Sequence, residues 1–206
     1  MSSKSFTLLA DGSSDRVLVS ILGWMLAQKH PRHLWTGNRA ELDRLPRPPK
    51  DLAGRIKATI EYFPGDVIFV HRDAEKESPE MRLREIAESI AKTALAVGNW
   101  VPVIPVRMTE AWLLISEKAI REASGNPDGR VNLRLPTMRD IEGIPDPKQL
   151  LQELLVEAAE VTGRRRKKFH FPERRASIPD FIDDWSELLQ LPSALMLYED
   201  IAKLHL

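Results

Sequence analysis

The sequence predicts an α/β fold: a small, mostly parallel sheet of about four strands flanked by helices, with a helical C-terminal region. Three junctions predict it. Asp66 to Glu75 (DVIFVHRDAE) is a β-branched and aromatic block, bounded by Pro64-Gly65 and by charge, which reads as a strand buried on both faces. Phe6 to Ala10 is a second short apolar run, followed at once by a turn and an apolar-periodic helix. Val101 to Val106 is a third, feeding Thr109 to Leu114.

In chain order, Asp11-Gly12-Ser13-Ser14-Asp15 forms the first turn, with Ser13 or Ser14 as the expected N-cap of a helix carrying Val17, Leu18, Ile21, Leu22, Met25 and Leu26. Leu34-Trp35-Thr36 is a short candidate strand, Arg44 to Lys50 a proline-rich loop, and Leu52 to Phe63 a helix. Ser78-Pro79 supplies a cap and a first helical residue for a long helix expected to run to about Gly98. The prolines of Val101-Pro102-Val103-Ile104-Pro105 place that strand at or near a sheet edge. Residues 1–125 thus read as the α/β core. Residues 126–206 read as a connector and helical extension packed on it, with helices from Pro147 to about Thr162, Pro179 to about Leu189 and Pro192 to about Lys203. Trp24, Trp100, Trp112 and Trp185 lie in apolar-periodic stretches and read as core.

Composition narrows the classes. An apolar fraction of 43% and a charged fraction of 29% are those of an ordinary globular protein, and 206 residues can bury a sizeable core. Thirty basic residues balance thirty acidic ones, so only local clustering argues for nucleic acid. The absence of cysteine excludes disulfides, iron–sulfur clusters and thiolate zinc sites. The N-terminal stretch has too few apolar residues for a signal-peptide core, and no run approaches the roughly 20 needed to span a bilayer. A cytoplasmic protein without membrane contact is the expectation.

Ligands of open parallel sheets bind beyond the carboxyl ends of the strands. There the junctions place acids: Asp11 with Asp15, Asp73 with Glu75, and Glu110. A hard cation such as Mg²⁺, or Mn²⁺, is held by one or two carboxylates together with waters and substrate phosphate, so this is raw material for phosphodiester chemistry. No hydroxyl–histidine triad or Walker loop competes with it. His71 reads either as a site residue or as a satisfied buried histidine. Farther on, Arg164-Arg165-Arg166-Lys167-Lys168 is the strongest local charge feature, followed by Phe169, His170, Arg174 and Arg175, and could neutralise several phosphates.

An acid and glycine after the first strand, a second acid shortly beyond, and Asp73-Ala74-Glu75 at the end of a later strand resemble the TOPRIM pattern of topoisomerases, primases and OLD-type nucleases. Met108 to Leu114, Gly163 to Phe169, Pro179-Asp180-Phe181 and Leu191 to Tyr198 look like the bacterial TOPRIM-like proteins of family DUF4276, and that resemblance covers nearly the whole chain. It implies a TOPRIM/Rossmann-like fold and a Mg²⁺-dependent phosphodiesterase, most simply a nuclease on DNA or RNA. Asp11 would act as general acid or base or share a ligand position, Asp15, Asp73 and Glu75 would bind metal, with Asp73 central to catalysis, and Glu110 would be a further ligand or orienting acid. It also implies a separately encoded ABC/AAA-type ATPase partner and a part in defence against phage. The chain departs from the pattern at Asp11, where the family usually has Glu, and at Glu75, where it has a second Asp. Those departures keep a second expectation open: a degenerate module that binds nucleic acid, a nucleotide or an ATPase partner without catalysis. A third is phosphoryl or nucleotidyl transfer to a small molecule.

Each acid also has a plainer reading. Asp11 suits a turn, Asp15 and Glu110 suit first helical turns, and Glu75 sits in a charged loop with Lys76 and Glu77. The basic run could equally be a solvated loop or an interface for an acidic partner.

Overall fold

The computed structural model describes residues 2–93 and 99–206, apart from the side chain of Ser13. Four strands, β1 (Ser2–Leu9), β2 (His33–Arg39), β3 (Val67–His71) and β4 (Trp100–Val103), form one sheet in the order β2-β1-β3-β4, and every pairing is parallel. Eight α-helices are described: α1 (Leu18–Lys29), α2 (Leu52–Tyr62), α3 (Pro79–Ala91), α4 (Glu117–Ser124), α5 (Pro147–Ala158), α6 (Gly163–Lys167), α7 (Phe171–Ser177) and α8 (Pro192–Ala202). The α/β architecture is therefore as the sequence predicts.

The side-chain period of two distributes each strand between two cores. Phe6, Leu8, Val67 and Phe69 face a large core shared with α1 and the C-terminal helices, whereas Leu9, Ile68 and Val70 face a smaller one with Ile56 of α2 and Ile86 of α3. All five residues of β3 are buried, as its unbroken apolar run requires. Both β2 and β4 are edges, and Pro102 sits on the latter. Trp112 and Trp185 are buried in the large core, while Trp24 is partly buried and stacks on Tyr198 of α8.

Several boundaries differ from expectation. Neither Ser13 nor Ser14 starts α1: a 3₁₀ turn, Ser13–Val17, comes first, with the Gly12 N–H bonded to Asp15 Oδ2 at 3.1 Å, and α1 begins at Leu18. Ser78 does cap α3, accepting from the Met81 N–H, but the expected end near Gly98 lies outside the described residues. The helix expected over 179–189 is instead two 3₁₀ turns, Ile178–Phe181 and Ser186–Gln190. Between them the Asp184 carboxylate accepts from the Ser186 N–H at 2.9 Å and its hydroxyl at 3.0 Å, a local bond that competes with helix continuation. The basic run is not a loop but α6, which is followed by α7.

Gly37 of β2 pairs with Phe6 of β1, and a Cβ at Gly37 would lie 2.1 Å from the Phe6 ring. Gly37→Ala is therefore expected to destabilise the fold by about 1–3 kcal/mol through overpacking, read as a lower urea midpoint.

Candidate active site at the sheet switch point

In the order β2-β1-β3-β4 the chain leaves β1 toward one side and returns through β3 on the other, so the loops after β1 and β3 open in opposite directions. The crevice between them is where open parallel sheets bind ligands. Asp15 comes from the turn after β1, His71 from the end of β3 and Asp73 from the loop just beyond it.

His71 is fully buried between the two carboxylates. Its Nε2 lies 3.1 Å from Asp73 Oδ1 and 3.2 Å from the Thr109 hydroxyl, and its Nδ1 faces Asp15 Oδ2 at 3.7 Å. A carboxylate only accepts, so the proton between His71 and Asp73 is assigned to Nε2. Asp73 Oδ1 also accepts from the Thr109 N–H at 2.9 Å and its hydroxyl at 3.3 Å. All these bonds fall on one oxygen. Among the described residues, Asp73 Oδ2 has no protein partner. The Asp73 carbonyl is held by Arg82 Nε of α3 at 3.1 Å, which fixes the loop from the other side.

Glu110 is brought near, but by a different route. It lies in a buried 3₁₀ turn, Thr109–Leu113, beyond β4, and its Oε1 sits 2.9 Å from Arg175 Nε. Arg175 belongs to α7, is 4% exposed, donates through Nη1 to the Ser14 carbonyl and holds Nη2 3.9 Å from Asp15 Oδ1. One buried guanidinium thus ties Asp15 and Glu110 together from the C-terminal region.

Asp11 and Glu75 are placed otherwise. Asp11 is bracketed by two arginines, with Arg55 Nη1 2.6 Å from Oδ1 and Arg72 Nη1 2.7 Å from Oδ2. Glu75 has a left-handed backbone (φ 54°), its N–H is bonded to the Arg107 carbonyl at 2.8 Å, and Arg107 itself has φ 66°. That reversal after Asp73-Ala74 leaves the Glu75 side chain 62% exposed, nearest to Arg82 Nη2 at 3.8 Å. Arg164 to Lys168 are exposed on α6 and its C-cap, and among the described residues none of the five forms an ion pair.

Burial pushes the Asp11 carboxyl up, but the Arg55 hydrogen bond and the charges of Arg72, Arg55 and His71 outweigh it and hold the group below its ordinary value. A carboxyl depressed in the folded state stabilises above its unfolded pKa of about 4 and loses that contribution as pH falls through the folded value. The stability advantage of wild type over Asp11→Asn is therefore expected to be full at pH 7 and to shrink below about pH 4, measured as the difference in urea midpoints across pH.

Among the described residues, no group of three His, Asp or Glu side chains is arranged as a ready metal cage. The donor set suits a different binding mode. A hard, water-rich cation needs one or two carboxylate oxygens plus a substrate phosphate; the open Oδ2 of Asp73 is one such oxygen, while Asp15 lies across the His71 ring, against its other nitrogen. Sequence reasoning missed Arg175, Thr109, Arg55 and Arg72 as parts of this region. Arg175 carried a signal as a cation near the basic run, and Thr109 as the start of the junction after Val101 to Val106; Arg55 and Arg72 carried none. Among the described residues, no helix is long and apolar enough to cross a membrane. Compared with models of protein families, with curated proteins and with solved structures, the chain matches none.

Proposed function

We propose that the chain is a TOPRIM-like phosphodiesterase dependent on Mg²⁺ or Mn²⁺, most simply a nuclease. One observation carries the reading: Asp73 and Asp15 flank a buried histidine at the switch point of a parallel sheet, and Asp73 keeps one oxygen open. Asp73 would hold the cation, together with waters and substrate phosphate, and the cation when bound would polarise a phosphoryl oxygen and activate water. His71 and Thr109 fix the Asp73 rotamer, so Oδ2 is aimed without reorganisation. Arg175 orients Asp15 and Glu110, and the α6 cations would grip the backbone of a nucleic acid. A separately encoded ATPase partner and a part in phage defence belong to this reading by resemblance.

A second reading, a binding module without catalysis, is favoured by Asp11. The position expected to act as general acid or base has both oxygens engaged by arginines. That arrangement suits a structural ion cluster as well as a proton-handling group.

The two readings separate in a cleavage assay on plasmid, single-stranded DNA and RNA, with Mg²⁺ or Mn²⁺ against EDTA. The phosphodiesterase reading expects metal-dependent product that Asp73→Ala reduces at least ~100-fold. Glu75→Ala, whose carboxylate is turned to solvent, should retain most of it. No product from wild type with either metal supports the second reading.

A further inference from the structure

At the edge of the sheet away from β2, a groove of about 320 Å³ runs between α3 and α8, with β4 and the residues just after it as its floor. Leu83 of α3, 42% exposed, and Met196 of α8, 59% exposed, stand on its walls, and Pro102 and Ile104 lie between them. Large apolar side chains facing water across one concave surface mark a place that a partner covers.

Charge narrows the choice of partner. Glu80, Glu142 and Asp200 stand around the groove, and among the described residues no lysine or arginine lines it. Asp200 is paired with the exposed Lys203 at 2.7 Å, and Glu142 accepts from the Ser193 N–H at 3.0 Å. Among the described residues, neither Glu80 nor Glu142 meets a cation. A twofold pairing of two copies across this groove would set these acids against themselves, so the charge selects a basic segment over a second copy. The backbone narrows it further. The carbonyls of Asn99, Val103 and Pro105 accept from the N–H groups of Ile68, Arg72 and Ala74, so Trp100, Pro102 and Ile104, which alternate with them, turn their backbone groups outward at the open edge. Pro102 has no N–H, and the Ile104 N–H has no acceptor among the described residues. An extended segment offers such an acceptor at alternate residues, whereas a helix spends its carbonyls internally.

We propose that this groove binds an extended basic segment of a partner protein, added beside β4, with apolar side chains seated against Leu83 and Met196 and flanking lysines or arginines facing Glu80 and Glu142. The unbranched thioether of Met196 lets that wall adapt to the apolar side chain it meets. The groove contains none of Asp15, His71, Asp73 or Glu110, so the proposal stands apart from any chemistry in the crevice.

The test is a fluorescence-anisotropy titration of the full chain with three labelled heptapeptides: alternating lysine and leucine, the same composition with the leucines at helical spacing, and alternating glutamate and leucine. The alternating lysine peptide should bind saturably and at least ~10-fold more tightly than either of the others. Leu83→Ser and Met196→Ser, on different helices and both at exposed positions, should each weaken it about tenfold, the scale of one lost anchor. Leu34→Ser, at a 60% exposed position on the opposite edge strand, should leave binding unchanged. Glu80→Gln combined with Glu142→Gln should weaken binding at low salt and match wild type at high salt. No saturable binding of the alternating lysine peptide, equal binding of the glutamate peptide, or preference for helical spacing overturns the proposal. So does a loss in Leu34→Ser equal to that in Met196→Ser. A dimer of the chain alone that Met196→Ser dissociates, seen by sedimentation, would assign the groove to a second copy and overturn it as well.

Discussion

A buried cation must be surrounded or the fold cannot tolerate it, and Arg175 is that cation. Its partners are Glu110 beyond β4, Asp15 in the turn after β1, and the carbonyl of Ser14. Leaving Glu110 and Asp15 buried without Arg175 would strand two carboxylates near the base of the sheet's ligand crevice. The same constraint explains why the C-terminal helices share the large core with β1, β3 and α1. The region that contributes Arg175 must be held to the sheet closely enough for a 2.9 Å contact.

The sheet sets the other side of the arrangement. Parallel strands put every carboxyl end on one edge, and the reversal of direction between β1 and β3 opens the crevice there. Along β3 the alternation of Val67 and Phe69 against Ile68 and Val70 commits all four to core, so the first residues free to do chemistry are those after the run. His71 is the transition: still in the strand, still buried, but polar, and held between Asp15 and Asp73. Thr109 then presents both its N–H and its hydroxyl to Asp73, so the 3₁₀ turn beyond β4 and the end of β3 jointly orient one carboxylate.

Much of this is legible in the sequence. The apolar run of 67–70 bounded by Pro64-Gly65, the Ser78-Pro79 helix start, and the proline-bearing edge strand all follow from local chemistry that tertiary packing did not override. Asp15, Asp73 and Glu110 could be picked out because strand ends of a parallel sheet must converge. What could not be read was orientation. The left-handed backbone at Glu75 turns its carboxylate away, and nothing in Asp-Ala-Glu foretells it. The arginines on Asp11 come from α2 and β3's outer end, 44 and 61 residues away. Arg175 lies 65 positions beyond Glu110, inside a helix too short to leave a periodic signature. The failed helix over 179–189 has a local cause in the Asp184–Ser186 bonds, a competition that apolar periodicity does not register.

The central claim is that Arg175 and Glu110 act as one unit joining the C-terminal helices to the crevice. A double-mutant cycle on folding stability, using Arg175→Met, Glu110→Gln and the pair, tests it most directly. The account predicts that each single change is strongly destabilising and that the double variant recovers part of the loss, with a coupling of about 1–3 kcal/mol, because the pair removes both buried charges together. Additive losses, with the double variant as unstable as the sum of the two, would contradict it.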